Sequence, residues 1–391
     1  MQSPKYSMKS LVLPVYLPTA LFGIGEGAII PVIPASAESL GADLPTAGLV
    51  AGVLMIGTVL ADLPAARIVN RVGERTSMIW ASFIAAFGIL FSLYATNIYM
   101  LGFGVFAMGA SAAIYGLARH AYIAESVPTT HRARAMAMLG GTFRLGTFGG
   151  PLLGAAVISL FGLSSAYVVP VILCSLAGAL LIFTTKPGIM TITNDAPVGN
   201  TWFIAKREYK KLITLGAAST ILQMSRTTRT IGLPLWALSL NLGPARSALI
   251  IGIAGGIDFA LFYTSGQIMD RFGRRWVAFP SLAAMGFCLI LLATVKDANG
   301  FLIAAIALAL ANGIAAGVVL VIGADLAPAD ARNEFLSAYR FMFDSGIALT
   351  APVISTLAVI FSLGVGISSM GALSLVGAFL FWRYLPKFNI K

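Results

Sequence analysis

The clearest charged side chains within the long apolar stretches of this 391-residue chain are Glu26, Arg226, Arg229 and Asp258. A charge at the centre of a membrane helix costs about 2.5 to 3.5 kcal/mol on insertion scales, so such residues are usually paired or functional. Glutamate can bind and release a proton, whereas arginine keeps its charge in proteins and can hold an anion. These residue types predict a proton-binding acid, together with arginines that serve an ion pair or an anion site.

The two arginines belong to a polar series with helical spacing. Gln223, Arg226 and Arg229 are three residues apart, so they share one face if this stretch is a helix. Two arginines opposite a single acid leave one positive charge in excess. That charge either holds an anionic substrate or is balanced by Asp258, and the sequence leaves both interpretations open.

The composition indicates that a membrane surrounds these side chains. The chain is 58% hydrophobic and only 10% charged, with a mean hydropathy of +0.89, whereas soluble globular domains carry about 25% charged residues. Lipid offers backbone groups no hydrogen-bond partner, and the alternating pattern of a β-barrel is absent, so we predict an all-α membrane protein. Twelve apolar stretches are each long enough to cross a hydrocarbon core of about 30 Å as a helix: 11–33, 46–66, 77–96, 99–122, 135–160, 166–184, 212–236, 247–267, 277–295, 301–324, 336–360 and 365–383.

The chain also repeats itself with a constant offset of 200 residues. Residues 24–76 align with 224–276 without a gap, and the same offset matches the segment 124–132 with 324–332. One offset at two distant places indicates an internal repeat. It sets Glu26 at the position equivalent to Arg226.

The repeat predicts the domain organisation. Residues 1–184 and 212–391 would form two pseudo-symmetric six-helix bundles, joined by a polar, basic cytoplasmic linker at 185–211. A parallel repeat of this kind is typical of transporters whose substrate sites lie near mid-membrane between the halves.

One polar loop carries the most specific motif of the sequence. Between the eighth and ninth spans, SGQIMDRFGRR shows the spacing G-x-x-x-D-R-x-G-R-R, formed by Gly266, Asp270, Arg271, Gly273, Arg274 and Arg275. The loop between the second and third spans holds a weaker copy with Asn70, Arg71, Gly73 and Arg75. With the repeat and the twelve spans, these loops resemble the signature of the major facilitator superfamily over essentially the whole chain. The resemblance implies a secondary transporter that works by alternating access and is not an enzyme.

The resemblance further implies that both loops are hinges at a cytoplasmic gate. Gly266 would permit close helix packing, and Asp270 would face the positive N-terminal end of a neighbouring helix. The loop arginines would reach acids at nearby helix ends, such as Glu125 or Asp325, with Asp325 the favoured partner. Because Asn70 lacks the charge of Asp270, Asp270→Asn is expected to impair transport far more than Asn70→Ala.

A second motif lies in the fifth span. It has the pattern G-x-x-x-G-P-x-x-G in the residues Gly146, Gly150, Pro151 and Gly154. This pattern resembles the motif of the superfamily's drug/proton antiporters, except that Ala155 replaces its final glycine. Glycines four apart form a smooth ridge along which another helix can approach, and proline removes a backbone donor. Ordinary tight packing is the alternative interpretation.

The fourth span departs from the antiporter pattern. Those antiporters carry R-x-x-Q-G there, whereas this chain has Val105 and Met108 in place of the arginine and the glutamine. The nearest basic residue is Arg119, further along the same span and close to its cytoplasmic end. Arg119 is a candidate for the coupling role of the missing arginine, or it neutralises Asp62 or Glu125.

Glu26 is the preferred proton carrier. In the superfamily the first and seventh spans line the central cavity from opposite sides, so the resemblance implies that Glu26 faces Arg226 across the transport path. An ion pair would form when the outer side closes and separate when it opens. Alternatively, the two residues form a permanent pair that fixes helix register.

The distribution of basic residues predicts the topology. Lysine and arginine gather in loops on one side, so these loops and both termini are expected to be cytoplasmic, which accounts for the net charge of +11 without nucleic acid. The first apolar stretch imitates a secretory signal, but it is too long and carries Glu26, so we expect it to remain attached. We expect a monomeric multi-pass protein of the cytoplasmic membrane, in contact with membrane lipid and binding a small-molecule substrate.

The sequence contains no phosphate-binding loop, dinucleotide fingerprint or zinc-ligand spacing. We therefore expect no cofactor and no metal. The expected energy source is an ion gradient, namely a proton gradient. The favoured function is proton-coupled efflux, by antiport, of lipophilic or drug-like molecules. The alternative is proton-coupled transport of a small organic anion or other metabolite, and a remote one is a non-transporting membrane sensor.

Overall fold

The computed structural model of the chain describes residues 8–184 and 201–388, in which helices and turns account for the regular structure and no strand occurs. The predicted all-α class is confirmed. The α-helices are α1 (Leu17–Ile29), α2 (Ile33–Ser39), α3 (Leu44–Val72), α4 (Glu74–Leu93), α5 (Ile98–Ser126), α6 (Thr129–Phe161), α7 (Val168–Thr184), α8 (Thr201–Arg207), α9 (Tyr209–Lys211), α10 (Ala217–Ser239), α11 (Pro244–Phe272), α12 (Arg275–Leu292), α13 (Ala298–Ile314), α14 (Val318–Leu326), α15 (Arg332–Ile360) and α16 (Leu363–Tyr384). The π-helical turns Val12–Tyr16 and Leu212–Gly216 precede α1 and α10, and the 3₁₀ turns are Met8–Leu11, Leu163–Tyr167, Ala329–Ala331 and Pro386–Phe388.

Within the described residues, eleven helical segments have the length and composition to cross a membrane. The remaining predicted span, 212–236, corresponds to α10, which carries Arg226, Arg229 and many hydroxyl side chains. Thr227, Thr228 and Thr230 donate to the carbonyl groups four residues before them, at 2.8 to 3.0 Å. These bonds satisfy the hydroxyls inside the helix itself, so a comparatively polar sequence still forms α10.

Two predicted spans are interrupted. The first, 11–33, includes a turn at 30–32 that separates α1 from α2, where Pro31 and Pro34 lack the N–H groups that would continue the helix. The tenth, 301–324, breaks after Ile314 and resumes at Val318. Gly317 lies in this second break with φ +79°, a left-handed conformation that glycine adopts without strain.

The described residues fall into two compact units. The first contains those of Met1–Gly41, Val53–Thr193 and Pro244–Gly252, and the second contains those of Ala42–Gly52, Asn194–Gly243 and Ile253–Lys391. The division into bundles 1–184 and 212–391 stays a prediction. Of the predicted linker, residues 185–200 lie outside the described structure, and 201–211 form α8 and α9.

Candidate functional site

Glu26 is buried in α1 within the first unit, where its side chain and backbone leave 9% of its surface exposed. Its Oε2 atom has no hydrogen-bond partner among the described residues. Glycines at 25 and 27 remove the side chains on either side of it, and Gly25 lies against Pro170 and Cys174 of α7. The sequence of α1 therefore lets neighbouring helices close around a single acid.

Arg119 of α5 is the basic group whose charge acts on the Glu26 carboxylate. Arg119 is 8% exposed, and its Nε atom also lacks a hydrogen-bond partner in the described part of the chain. Its guanidinium carbon lies 4.6 Å from the centre of the Phe143 ring, a cation–π contact. In the structure Arg119 therefore lies near Glu26. The sequence had not suggested Glu26 as a partner of Arg119.

Aromatic rings complete the surroundings of this acid and base. Phe22, one turn before Glu26, stacks on Tyr115, one turn before Arg119, with ring centroids 4.4 Å apart. Both rings are almost completely buried, at 2% and 1% exposure. In this conformation they are packing residues of the interior.

The glycine motif of α6, the fifth predicted span, lies directly on the turn of α1 that carries Glu26. A β-carbon added at Gly146 would overlap the backbone of Gly23, and one added at Gly150 would come within 2.6 Å of Ile24 O and of Gly27. Gly154 continues the ridge, since its β-carbon would lie 3.0 Å from Ala28 O. Any shift of this part of α1 must therefore be accommodated by α6.

Arg226 donates three hydrogen bonds to neutral acceptors of its own unit. Its Nη1 donates to Gln223 Oε1 at 2.8 Å, its Nε to Asn312 Oδ1 at 3.0 Å, and its Nη2 to the carbonyl oxygen of Ala315 at 2.7 Å. Gln223 and Arg226 share one face of α10, as their spacing predicted. Glu26 belongs to the first unit, so its pairing with Arg226 stays a prediction.

Asp258 of α11 joins this cluster. It lies 3.4 Å from Arg229 Nη1, with the two side chains 12% and 13% exposed. The amide of Asn312 donates to both Asp258 carboxylate oxygens, at 3.0 and 2.9 Å. Of the two interpretations left open for Arg229, the structure shows the ion pair with Asp258.

Asn312 connects Arg226 to the Arg229–Asp258 pair, and no sequence motif had marked it as a site residue. Its amide accepts from Arg226 and donates to Asp258. A single amide in the otherwise apolar stretch 301–324 was the available signal. The formal charges of Arg226, Arg229 and Asp258 sum to one positive charge, which is relevant to the anion alternative below.

The break between α13 and α14 lies beside the same cluster. Arg226 donates to the Ala315 carbonyl, and Ser265 of α11 donates to the carbonyls of Ile314 at 2.6 Å and Ala316 at 3.0 Å. Backbone groups outside a helix are costly at membrane depth unless protein groups satisfy them. The polar side chains of α10 and α11 therefore stabilise a break that the apolar sequence did not predict.

We expect Asp258→Asn to destabilise the protein by about 3 to 5 kcal/mol, because it leaves Arg229 buried without its charge partner. Arg229→Gln in the same chain should recover much of that loss. Thermal unfolding of the two single variants and the double variant in detergent checks this. Losses that simply add in the double variant would contradict the ion pair.

The signature loop makes separate contacts through each arginine. Arg274 Nε lies 2.9 Å from Asp325 Oδ2, the acid favoured from the sequence. The Arg275 guanidinium stacks on Trp382 at 3.6 Å from the ring centroid, and that of Arg271 lies over Phe272 at 5.4 Å.

The sequence analysis also assigned roles to Asp270 and Gly266 of the signature loop. The side chain of Asp270 lies outside the described residues. The close packing expected at Gly266 is not found, because a β-carbon there would meet no atom of the described structure within 4 Å.

The twin loop is built differently. Gly73 and Gly273 both follow a long helix with positive φ, 84° and 89°, so the two loops turn alike. Arg75, however, donates to the carbonyl oxygen of Ile182 at 2.7 Å. The side chains of Asn70, Arg71 and Glu125 are exposed. The two copies therefore share a turn but differ in what their arginines bind.

Comparison with known families decides the kind of protein. The family model described as Major Facilitator Superfamily matches residues 15–351 and 215–391. The chain belongs to this superfamily. Its members are transporters, so the protein is a multi-pass membrane transporter and not an enzyme.

This superfamily member is similar to an uncharacterized MFS-type transporter of Methanocaldococcus jannaschii, 19% identical over 357 residues that span 87% of the chain and 89% of the relative. It also resembles facilitated glucose transporter member 12 of solute carrier family 2 from Danio rerio, 30% identical over 150 residues, which are 38% of the chain and 23% of that protein.

Solved structures share the superfamily fold at low identity. A D-xylose-proton symporter is 15% identical with a TM-score of 0.77, covering 98% of this chain and 99% of that one. A bacterial homolog of the human lysosomal transporter Spinster is 14% identical with a TM-score of 0.78, covering 99% and 98%. At these identities the likeness shows the fold alone.

For this superfamily transporter we expect Arg274 and Asp325 to be energetically coupled. Their side chains are 28% and 33% exposed, so solvent screens the pair and its coupling should be about 0.2 to 1 kcal/mol. A double-mutant cycle with Arg274→Gln and Asp325→Asn, followed by thermal unfolding, measures it. Arg271→Gln, which removes a guanidinium over a ring of its own helix, serves as the control and should show no coupling to Asp325→Asn. Coupling of equal size with Arg271 would contradict the assignment.

Proposed function

We propose that this transporter exports lipophilic or drug-like small molecules in exchange for protons. It acts by alternating access as a monomer in the cytoplasmic membrane, with both termini cytoplasmic. It uses the proton gradient without a bound cofactor, and its partners are the small-molecule substrate and membrane lipid rather than nucleic acid.

One observation carries the proposal: a buried carboxylate, Glu26, lies in a transport-fold helix near a buried base, Arg119. The Arg119 guanidinium lies over Phe143, and Phe143 packs against the same turn of α1 at Gly23. Protonation of Glu26 removes the attraction between the two groups, and deprotonation restores it. Glu26 thereby provides two charge states whose electrostatic attraction to α5 differs.

The glycine motif in α6 connects the charge state of Glu26 to helix movement. Its glycines touch α1 at Gly23, Ile24 and Gly27, within one turn of Glu26. A change in the electrostatic attraction between Glu26 and Arg119 would therefore be transmitted to the α1–α6 contact. The likeness of this motif to that of drug/proton antiporters supports export as the direction.

A second candidate, transport of a small organic anion, is supported by the excess positive charge of the Arg226, Arg229 and Asp258 cluster. Carboxylate or phosphate groups match the donor geometry of arginine. Arg226 and Arg229 are the candidate contacts for such an anion, and Asp258 pairs with Arg229.

Transport by the purified protein in liposomes with an imposed pH gradient tests both candidates. Tetraphenylphosphonium serves as the lipophilic cation, and a panel of mono- and dicarboxylates serves as the anions. Movement of the cation that dissipates the gradient supports export by antiport. Gradient-driven movement of a carboxylate that Arg226→Gln abolishes, with the cation ignored, would replace the proposal with the anion candidate.

A further inference from the structure

The short helices α8 and α9 stand next to a membrane span of the second unit. Ile204 of α8 is buried, 8% exposed, within the apolar core that includes Phe335 and Leu326. The candidate membrane span of α15 begins at Glu334. The segment Thr201–Lys211 therefore lies beside the Glu334 end of this span.

Ion pairs and hydrogen bonds hold this segment in place. Arg207 binds the Asp330 carboxylate with two hydrogen bonds, at 2.7 and 3.1 Å. These bonds hold the pKa of Asp330 below its usual range. Lys211 donates to the carbonyl oxygen of Leu326 at 3.2 Å and pairs with Glu208 at 2.9 Å. The charges of Arg207 and Lys211 are thus balanced by acids of the protein.

The outward side of the segment combines large apolar rings with the remaining lysines. Trp202 is 80% exposed and Phe203 is 62% exposed. Lys206 and Lys210 are exposed and form no ion pair within residues 8–184 and 201–388. Trp202 and Lys206 are four residues apart, so they share one helix face.

We propose that the outward face of Thr201–Lys211 binds anionic phospholipids at the membrane surface. Trp202 and Phe203 enter the boundary between headgroups and acyl chains, and Lys206 and Lys210 contact lipid phosphates. Tryptophan is enriched at this depth, and basic residues beside a span attract anionic lipids. Charge complementarity favours lipid over a second copy of this chain, because a second copy would bring the same two lysines.

The test uses the full-length chain in phosphatidylcholine liposomes that contain a minority of phosphatidylglycerol. Brominated acyl chains, which quench nearby tryptophans, are placed on one lipid or the other at equal mole fraction. The chain has five tryptophans, so the Trp202 signal is the difference between the natural chain and Trp202→Phe. We expect brominated phosphatidylglycerol to quench Trp202 several-fold more strongly than brominated phosphatidylcholine does, because each lysine should enrich anionic lipid beside it about fivefold.

Matched lysine variants separate lipid binding from simple burial of the ring. Lys206→Gln and Lys210→Gln should each reduce the preference for phosphatidylglycerol, and Lys296→Gln, another exposed lysine, should leave it unchanged. The preference should also disappear at about 1 M salt, where charges are screened within about 3 Å. Equal quenching by the two lipids, or no quenching by either, as expected if a protein surface or water covers Trp202, would overturn the proposal.

Discussion

Replacing Glu26 with glutamine is expected to reduce gradient-driven transport to the level of protein-free liposomes. Glutamine keeps the shape of the side chain but cannot carry a proton, so its interaction with Arg119 stays the same in every state. The variant should still exchange substrate across the membrane when both sides contain it, because binding and helix movement remain. Counterflow and pH-driven uptake of tetraphenylphosphonium, measured in one preparation, separate the two activities.

The control for this substitution is Glu38→Gln, which changes an exposed glutamate of α2. It should retain both activities. Gradient-driven uptake that persists in Glu26→Gln would show that another group carries the proton. Equal loss in Glu38→Gln would show that the assay responds to negative charge in general.

The second large effect is expected at the α1–α6 contact. Gly146→Ala adds a methyl group where the backbone of Gly23 already lies, so α1 and α6 must separate. Overpacking of this kind costs about 1 to 3 kcal/mol, and here the obstacle is backbone that cannot rotate away. We expect a lower unfolding temperature in detergent and little transport.

Gly149→Ala is the matched control, because it lies in the same helix three residues away. Its added methyl group would stand 3.7 Å from Ile24 Cγ1, an ordinary contact, and alanine favours helix over glycine by about 0.5 to 1 kcal/mol. This variant should be at least as stable as the natural chain. If Gly146→Ala were equally stable and active, α6 would not constrain α1 at this point.

The all-α fold could be predicted because lipid leaves the chain few alternatives. Long apolar stretches must form helices in hydrocarbon, and the offset of 200 residues indicated a repeated unit. The break at 315–317 could not be predicted in the same way. It depends on donors from Ser265 and Arg226, which lie 50 to 90 residues away in other helices. A glycine such as Gly317 within an apolar stretch does not by itself predict a break.

The candidate site was partly predictable for a similar reason. Charge in an apolar stretch marked Glu26, Arg226, Arg229 and Asp258, and the structure joins Arg229 to Asp258. Arg119 was expected to neutralise Asp62 or Glu125 if it had no coupling role, whereas its charge acts on Glu26. Which acid a long arginine side chain reaches depends on how helices pack, and the periodicity of a single sequence does not contain that information.

The proton that Glu26 is proposed to carry can be measured directly. Tetraphenylphosphonium is added to the purified protein in weakly buffered detergent, and a pH indicator records protons released on binding. The natural chain is expected to release protons and Glu26→Gln to release none, while equilibrium dialysis shows that both bind the cation. Undiminished release from a Glu26→Gln protein that still binds would contradict the assignment of Glu26 as the coupling acid.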